Sequence, residues 1–94
     1  MSQLPSIELL ETQHVFPGPF VFKAIGKGSQ AFVDGLVAVV RAELGYDFDP
    51  PCDLNFSRGG RHVAVTFTPQ VESSQQVLAI FRGFQQVDGL MMLL

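Results

Sequence analysis

The segment Cys52–Phe67, C-D-L-N-F-S-R-G-G-R-H-V-A-V-T-F, decides between two folds for this chain. Two runs suited to strands flank Gly59 and Gly60, a pair that readily adopts the positive φ angles of a tight hairpin turn. If Arg58 pairs with Arg61, apolar side chains meet on one face of the hairpin, and polar or small side chains meet on the other. A slip of one residue would destroy this agreement, so the sequence predicts an antiparallel hairpin.

The predicted register fixes which side chains share a face. The apolar face pairs Phe56 with Val63, Leu54 with Val65 and Cys52 with Phe67, and the polar face pairs Ser57 with His62, Asn55 with Ala64 and Asp53 with Thr66. Because Cys52 then faces the core, we expect a buried, inert thiol rather than a nucleophile.

The stretch Ala24–Phe32, A-I-G-K-G-S-Q-A-F, matches part of the G-x-G-x-x-A fingerprint of dinucleotide-binding folds. In those folds the strand after the first helix runs parallel to the first strand and leads into another crossover. Here it leads into a hairpin. The sequence therefore argues against a dinucleotide fold, and the glycines are interpreted as a tight connection between strand and helix.

Periodicity on either side of the hairpin predicts the remaining elements. Phe20–Ile25 alternates as a strand does, and Ser29 is suited to cap the first helix. Ser73 and Gln76 have the spacing of a capping box for a second helix, and Leu90–Leu94 is an apolar final strand. The order strand, helix, strand, strand, helix, strand predicts an α+β fold: a ferredoxin-like sandwich in which two helices cover one face of a four-stranded antiparallel sheet.

Length and composition predict one domain at residues 20–94, after a polar, partly mobile leader at residues 1–19. The net charge of -3 argues against binding to nucleic acid or to an anionic membrane surface. The chain has one cysteine, no run of about 20 apolar residues and no recognisable secretory signal, so we expect a cytoplasmic protein without a disulfide.

Three segments carry a resemblance to a known family: F-P-G-P-F-V-F-K-A-I-G, S-R-G-G-R-H-V-A-V-T-F and V-D-G-L-M-M-L-L. In order and position they resemble the YbeD-like family, small bacterial proteins often labelled lipoate regulatory proteins. The resemblance covers roughly Leu9–Leu94, although His62 stands where the family often has an aromatic residue. Family members look like the ACT domains that sense amino acids in metabolic enzymes. That resemblance implies a ligand-binding turn after the first strand, which here is Gly26, Lys27, Gly28 and Ser29.

Two groups of residues are candidates for binding an anion. Free backbone amides at the start of the first helix, with Lys27 beside them, favour a carboxylate or phosphate. Arg58, Arg61 and His62 concentrate positive charge at the hairpin, where they could hold an acidic partner; the alternative is an ordinary solvated turn.

The last strand is the predicted interface. Strict alternation puts Leu90, Met92 and Leu94 on one face and Met91 and Leu93 on the other. Since only one set can face the helices, the other set predicts self-association, as a homodimer or larger oligomer, or a protein partner. The alternative is that the leader folds back over this patch.

The sequence shows no pattern typical of a metal site, a cofactor site or a catalytic group. Asp47, Asp49 and Asp53 lack the spacing of a calcium loop, and Cys52, His14 and His62 do not form a zinc set.

The first hypothesis for the function is a non-enzymatic regulatory module that senses a small anionic metabolite, a carboxylate or an amino acid, at the first turn. The alternative is a protein-interaction adaptor that uses the open sheet face or the last strand.

Overall fold

The structure, a computed structural model, describes residues 4–94 and contains three helices and two sheets in a mixed α+β fold. The mobility expected for the first residues of the leader concerns residues 1–3, which lie outside the described residues. In chain order the elements are α1 (Ile7–Gln13), β1 (Gly18–Pro19), β2 (Phe22–Lys27), α2 (Gln30–Leu44), β3 (Asp53–Phe56), β4 (His62–Phe67), β5 (Gln70–Val71), α3 (Ser74–Gln85) and β6 (Leu90–Leu93).

Both long helices begin at the predicted serines. The Ser29 hydroxyl accepts a hydrogen bond from the backbone N–H of Phe32 at 3.3 Å, and Gly45, with a φ of 69°, ends α2 in the left-handed conformation. The Ser73 hydroxyl accepts a hydrogen bond from the backbone N–H of Gln76 at 3.2 Å, which starts α3. These caps satisfy backbone donors that a helix leaves free at its first turn.

The strands of the hairpin have the predicted register, but the predicted pairing of Arg58 with Arg61 is wrong. Arg58–Gly60 instead forms a short 3-10 turn, in which Gly60 N donates a hydrogen bond to the Ser57 carbonyl at 2.9 Å. Strands β3 and β4 are antiparallel, with Phe56 opposite Val63 and the three preceding pairs also as predicted. Gly59 and Gly60 have φ angles of 84° and 74°, which glycine adopts without steric cost. The hairpin therefore confirms the argument against a dinucleotide fold.

The larger sheet has the order β3-β4-β2-β6, and every neighbouring pair is antiparallel. The last strand lies at an edge beside β2, as predicted. The predicted strand Phe20–Ile25 is shifted by two residues in the structure, but Phe20, Phe22 and Ala24 are all buried as its alternation requires. In β3 the paired segment is shorter than predicted and all of its residues are exposed.

Strict alternation along the last strand is wrong. The pairing of β6 with β2 matches Leu93 to Ala24 and Met92 to Ile25, and then shifts, so that Leu90 matches Gly26 and Met91 is an extra residue. A β-bulge of this kind puts two successive side chains on the solvent side. Leu90 and Leu93 both pack against the core, whereas both methionines are exposed.

The leader contributes a helix and a strand to the fold, whereas the sequence indicated only a short amphipathic piece around Ile7–Leu10. Helix α1 buries Leu10 in the core, and its Glu11 carboxylate accepts a hydrogen bond from the Ser74 hydroxyl of α3 at 2.8 Å. Strand β1 pairs with β5 in a separate two-stranded sheet.

A single buried cluster joins α1, α2 and α3 to alternating residues of β2 and β4, and its largest fully buried side chains are Phe22, Phe32, Phe67 and Phe84.

Candidate functional site

The structure brings the two predicted anion-binding groups together. Lys27, the last residue of β2, lies opposite His62, the first residue of β4. The backbone N–H of Gly28 donates a hydrogen bond to the carbonyl of Arg61 at 2.8 Å. The turn after β2 and the hairpin turn therefore form one continuous surface, a relation that antiparallel pairing of β2 and β4 produces.

The backbone amides of this turn are not free. Lys27 N donates to the Gly89 carbonyl at 3.0 Å, Gly28 N donates to Arg61, and Ser29 N donates to the Lys27 carbonyl at 2.8 Å. The amides of Lys27, Gly28 and Ser29 are therefore not available to a ligand, because the carbonyls of Gly89, Arg61 and Lys27 accept their hydrogen bonds. The expectation of free amides at the start of the first helix, which begins at Gln30, stays a prediction. A ligand at this turn, which stays a prediction, would have to be held by side chains or by the amides of the first turn of α2.

Close packing accounts for both glycines of the turn. A Cβ at Gly28 would overlap the carbonyl oxygen of Gly60, and a Cβ at Gly26 would overlap the ring of Phe32. These contacts support the structural interpretation of the glycines. The absence of a Cβ at Gly26 and Gly28 lets α2 and the hairpin turn pack closely against the end of β2.

One face of the larger sheet is turned away from the buried cluster, and we call it the outer face. Pairing registers and alternation define it, because Phe22, Ala24, Val63 and Val65 are buried on the opposite face. The outer face consists of Lys23, Ile25 and Lys27 from β2, His62, Ala64 and Thr66 from β4, Asp53 and Asn55 from β3, and Met92 from β6.

Positive charge is concentrated on the outer face and the hairpin turn. Four of the six basic residues of the chain lie there, together with His62, and we call this set the basic surface: Lys23, Lys27, Arg58, Arg61 and His62. The outer face carries one of the nine acidic residues, Asp53, at its far corner, and Asp88 lies in the turn before β6. Within residues 4–94 the recorded ion pair is Arg41 with Asp49 at 3.0 Å, away from this surface.

Sequence reasoning left Lys23 out of the candidate site. The signal was present, since a lysine that alternates with buried residues of a strand must point to the opposite, uncovered face. Its pairing partner Thr66 and the central Ala64 are short, so they leave the outer face shallow between the basic side chains. A depression of about 200 Å³ lies here, bordered by Ile25, Asn55, His62 and Ala64.

The predicted interface strand is divided by the bulge. Met91, Met92 and Leu94 are exposed by 63%, 47% and 60%, and Leu90 and Leu93 are partly buried. Leu93 and Leu94 also border an apolar cavity of about 330 Å³ between α1, α3 and the end of β6, with His14 on its wall. This cavity lies at the opposite end of β2 from Lys27.

Cys52 is half-buried, less than predicted, since it precedes the edge strand β3. Burial first, and then the neighbouring Asp53 carboxylate, raise the pKa of its thiol above the ordinary value. A raised pKa leaves less thiolate near neutral pH, which agrees with the expected low reactivity.

Within the part of the chain that the structure describes, no cluster of three metal-ligating side chains occurs, and no helix has the length and apolar character needed to cross a membrane.

Comparisons with known proteins give a family and a fold. The family model described as "Protein of unknown function (DUF493)" matches residues 11–94. UPF0250 proteins of Shewanella woodyi and Shewanella piezotolerans are 29% and 30% identical over 82 residues, and each match covers 87% of this chain and 86% of the relative. The solution structure of protein HP0495 from H. pylori is similar, with a TM-score of 0.67, 14% identity and coverage of 100% of this chain and 98% of that chain. This likeness supports a fold of the ferredoxin-like class.

Proposed function

Because the chain belongs to the DUF493 family, the UPF0250 or YbeD-like proteins of unknown function, we propose its function from its surface. It is a non-enzymatic interaction module whose basic surface binds an acidic segment of a partner protein. The observation that carries this proposal is that Lys23, Lys27 and His62 share the outer face, beside the hairpin turn that contains Arg58 and Arg61, in a chain with net charge -3.

The arrangement of layers supports such a contact. We infer that both long helices cover one face of the four-stranded sheet, as in a ferredoxin-like sandwich, which leaves the outer face open to a partner. Small side chains at its centre permit close approach of another chain, and Ile25 and Met92 offer apolar contact beside the charges. An interface with an apolar centre and a charged rim is typical of protein recognition.

A regulatory module that senses a small anionic metabolite is the second candidate. It is favoured by the backbone adjacency of Lys27, His62 and Arg61, at the place where β2 ends and β4 begins. These side chains would hold a carboxylate or an amino acid without the backbone amides of Lys27, Gly28 and Ser29. Both candidates predict binding at the same end of the sheet, so the size of the ligand must distinguish them.

Titration followed by nuclear magnetic resonance separates the two candidates. The probes are a peptide of alternating glutamate and leucine, and citrate as a small carboxylate. The first proposal expects the peptide to shift the amide signals of Lys23, Lys27 and His62 and to bind more weakly as salt rises. The second expects citrate to shift the signals around Lys27 while the peptide binds no more tightly than citrate.

Matched variants test the residues. Replacing Lys27 and Arg61 together by alanine should weaken peptide binding about tenfold while the protein stays folded, since both side chains are exposed. Arg82→Ala, which removes an exposed cation from α3, should leave binding unchanged. Equal effects of the two replacements, or peptide shifts confined to the helices, would show that the basic surface is not the binding site.

A further inference from the structure

Strand β3 is a regular, unpaired edge of the larger sheet. Ser57 N donates a hydrogen bond to the His62 carbonyl, so the pair Ser57 and His62 belongs to the hydrogen-bonded set of the hairpin. In an antiparallel pair such sets alternate with pairs whose backbone groups point outward. Leu54 and Phe56 therefore direct their N–H and C=O groups away from β4, into solvent.

The same two residues expose their side chains. Leu54 and Phe56 lie opposite Val65 and Val63 on the helix side of the sheet, yet they remain exposed by 44% and 52%. Their backbone and side chains together offer what a new strand requires: free hydrogen-bonding groups at the edge and apolar surface on one face.

We propose that β3 pairs antiparallel with β3 of a second copy, about a two-fold axis at Asn55. Leu54 of each copy then lies opposite Phe56 of the other, in pairs joined by the outward backbone groups. Four apolar side chains meet on the helix side, and the two Asn55 amides face each other on the outer face. The contact is self-complementary, as a two-fold interface must be.

Charge selects the second copy as the occupant. The edge has an acidic residue, Asp53, at one end and Arg58 at the other, and neither belongs to an ion pair within residues 4–94. Antiparallel pairing about Asn55 puts Asp53 opposite Ser57 of the other copy, next to its Arg58. Unlike charges therefore meet at both ends, whereas parallel pairing in register would bring like charges together.

The other edge lacks these properties. The bulge at Met91 interrupts the pattern of outward groups along β6, and bulges of this kind hinder strand addition. Pairing through β3 does not depend on the proposed function. It would join two basic surfaces into one larger outer face.

Sedimentation equilibrium on the full chain tests the proposal. The wild type should dimerise with rising concentration, and Phe56→Lys should raise the dimer dissociation constant about tenfold or more, because the change occurs twice in each dimer. Met92→Lys is the matched control, since Met92 is 47% exposed on the opposite edge and Phe56 is 52% exposed. Circular dichroism checks that both variants fold.

A charge exchange gives a second readout. Asp53→Arg and Arg58→Asp should each weaken the dimer, because each brings two like charges together across the interface. The two changes in one chain should restore the dimer, because position 53 then carries a positive charge and position 58 of the other copy a negative one. A chain that stays monomeric at millimolar concentration overturns the proposal. A dimer that is disrupted by Met92→Lys but not by Phe56→Lys also overturns it. The same holds if the double variant with exchanged charges does not recover the dimer affinity of the wild type.

Discussion

Gly28 and Gly45 are glycines for different physical reasons. At Gly28 a Cβ would overlap the Gly60 carbonyl oxygen, whereas Gly45 has open space around it but a φ of 69°. Gly28→Ala must displace backbone, so we expect it to lower the free energy of unfolding by about 3 kcal/mol. Gly45→Ala should lower it by about 1 kcal/mol through left-handed strain alone. Urea denaturation measures both, and an equal or reversed order would contradict the packing interpretation.

The pKa of the Cys52 thiol should lie above its ordinary value. Burial and the Asp53 carboxylate both disfavour the thiolate, so its pKa is raised. At a given pH less thiolate is present, and alkylation by iodoacetamide should reach its half-maximal rate at a higher pH than in the urea-unfolded chain. The unfolded chain is the control, because it contains the same thiol without burial. A midpoint at or below the unfolded value would contradict the prediction.

The bulge in β6 determines which side chains of the last strand tolerate charge. Met91 and Met92 are both exposed, so Met91→Lys and Met92→Lys should each change the free energy of unfolding by less than about 0.5 kcal/mol. Leu93 packs against the core opposite Ala24, and Leu93→Lys should lower it by about 2 kcal/mol. Thermal unfolding of the three variants is the measurement. Strict alternation would instead make one methionine as sensitive as Leu93.

Elements differ in how well their sequence identifies them. The hairpin was predictable because turn chemistry and the alternation of two strands agree on one register. The bulge was not, because all residues of Leu90–Leu94 are apolar and no polar residue marks a change of face. Helix α1 is seven residues long and buries Leu10 alone, so its periodicity is too short to indicate that it packs on α3.

The candidate site depends on the whole molecule. Lys27 and His62 are far apart in sequence, and the pairing of β2 with β4 makes them neighbours. In the sequence, the residues of the basic surface form two separate groups, one around Lys27 and one at the hairpin, and Lys23 belongs to neither. The pairing of β2 with β4, which joins the groups, was not part of the prediction from the hairpin. The amides of Lys27 and Gly28 in the turn after β2 donate to carbonyls in distant loops, which the sequence alone does not indicate.

Helix α1 should be part of the cooperative folding unit. Leu10 is 3% exposed, and its neighbour Leu9 is 47% exposed on the same helix. Leu10→Ala should lower the free energy of unfolding by about 3 kcal/mol, because it leaves a cavity between α1 and the core. Leu9→Ala, the matched control, should change it by less than about 0.5 kcal/mol. Two separate urea transitions, or no difference between the variants, would show that α1 unfolds independently.

The bulge at Met91 also limits how large an assembly can grow. A sheet with two regular edges can add a neighbour at each, so identical chains can polymerise into a fibril. Here the bulge makes the β6 edge the poorer attachment point, which leaves β3 as the regular one. A molecule with a single attachment point terminates growth as soon as it is used. We therefore expect one inserted residue in the last strand to disfavour open-ended aggregation of this chain.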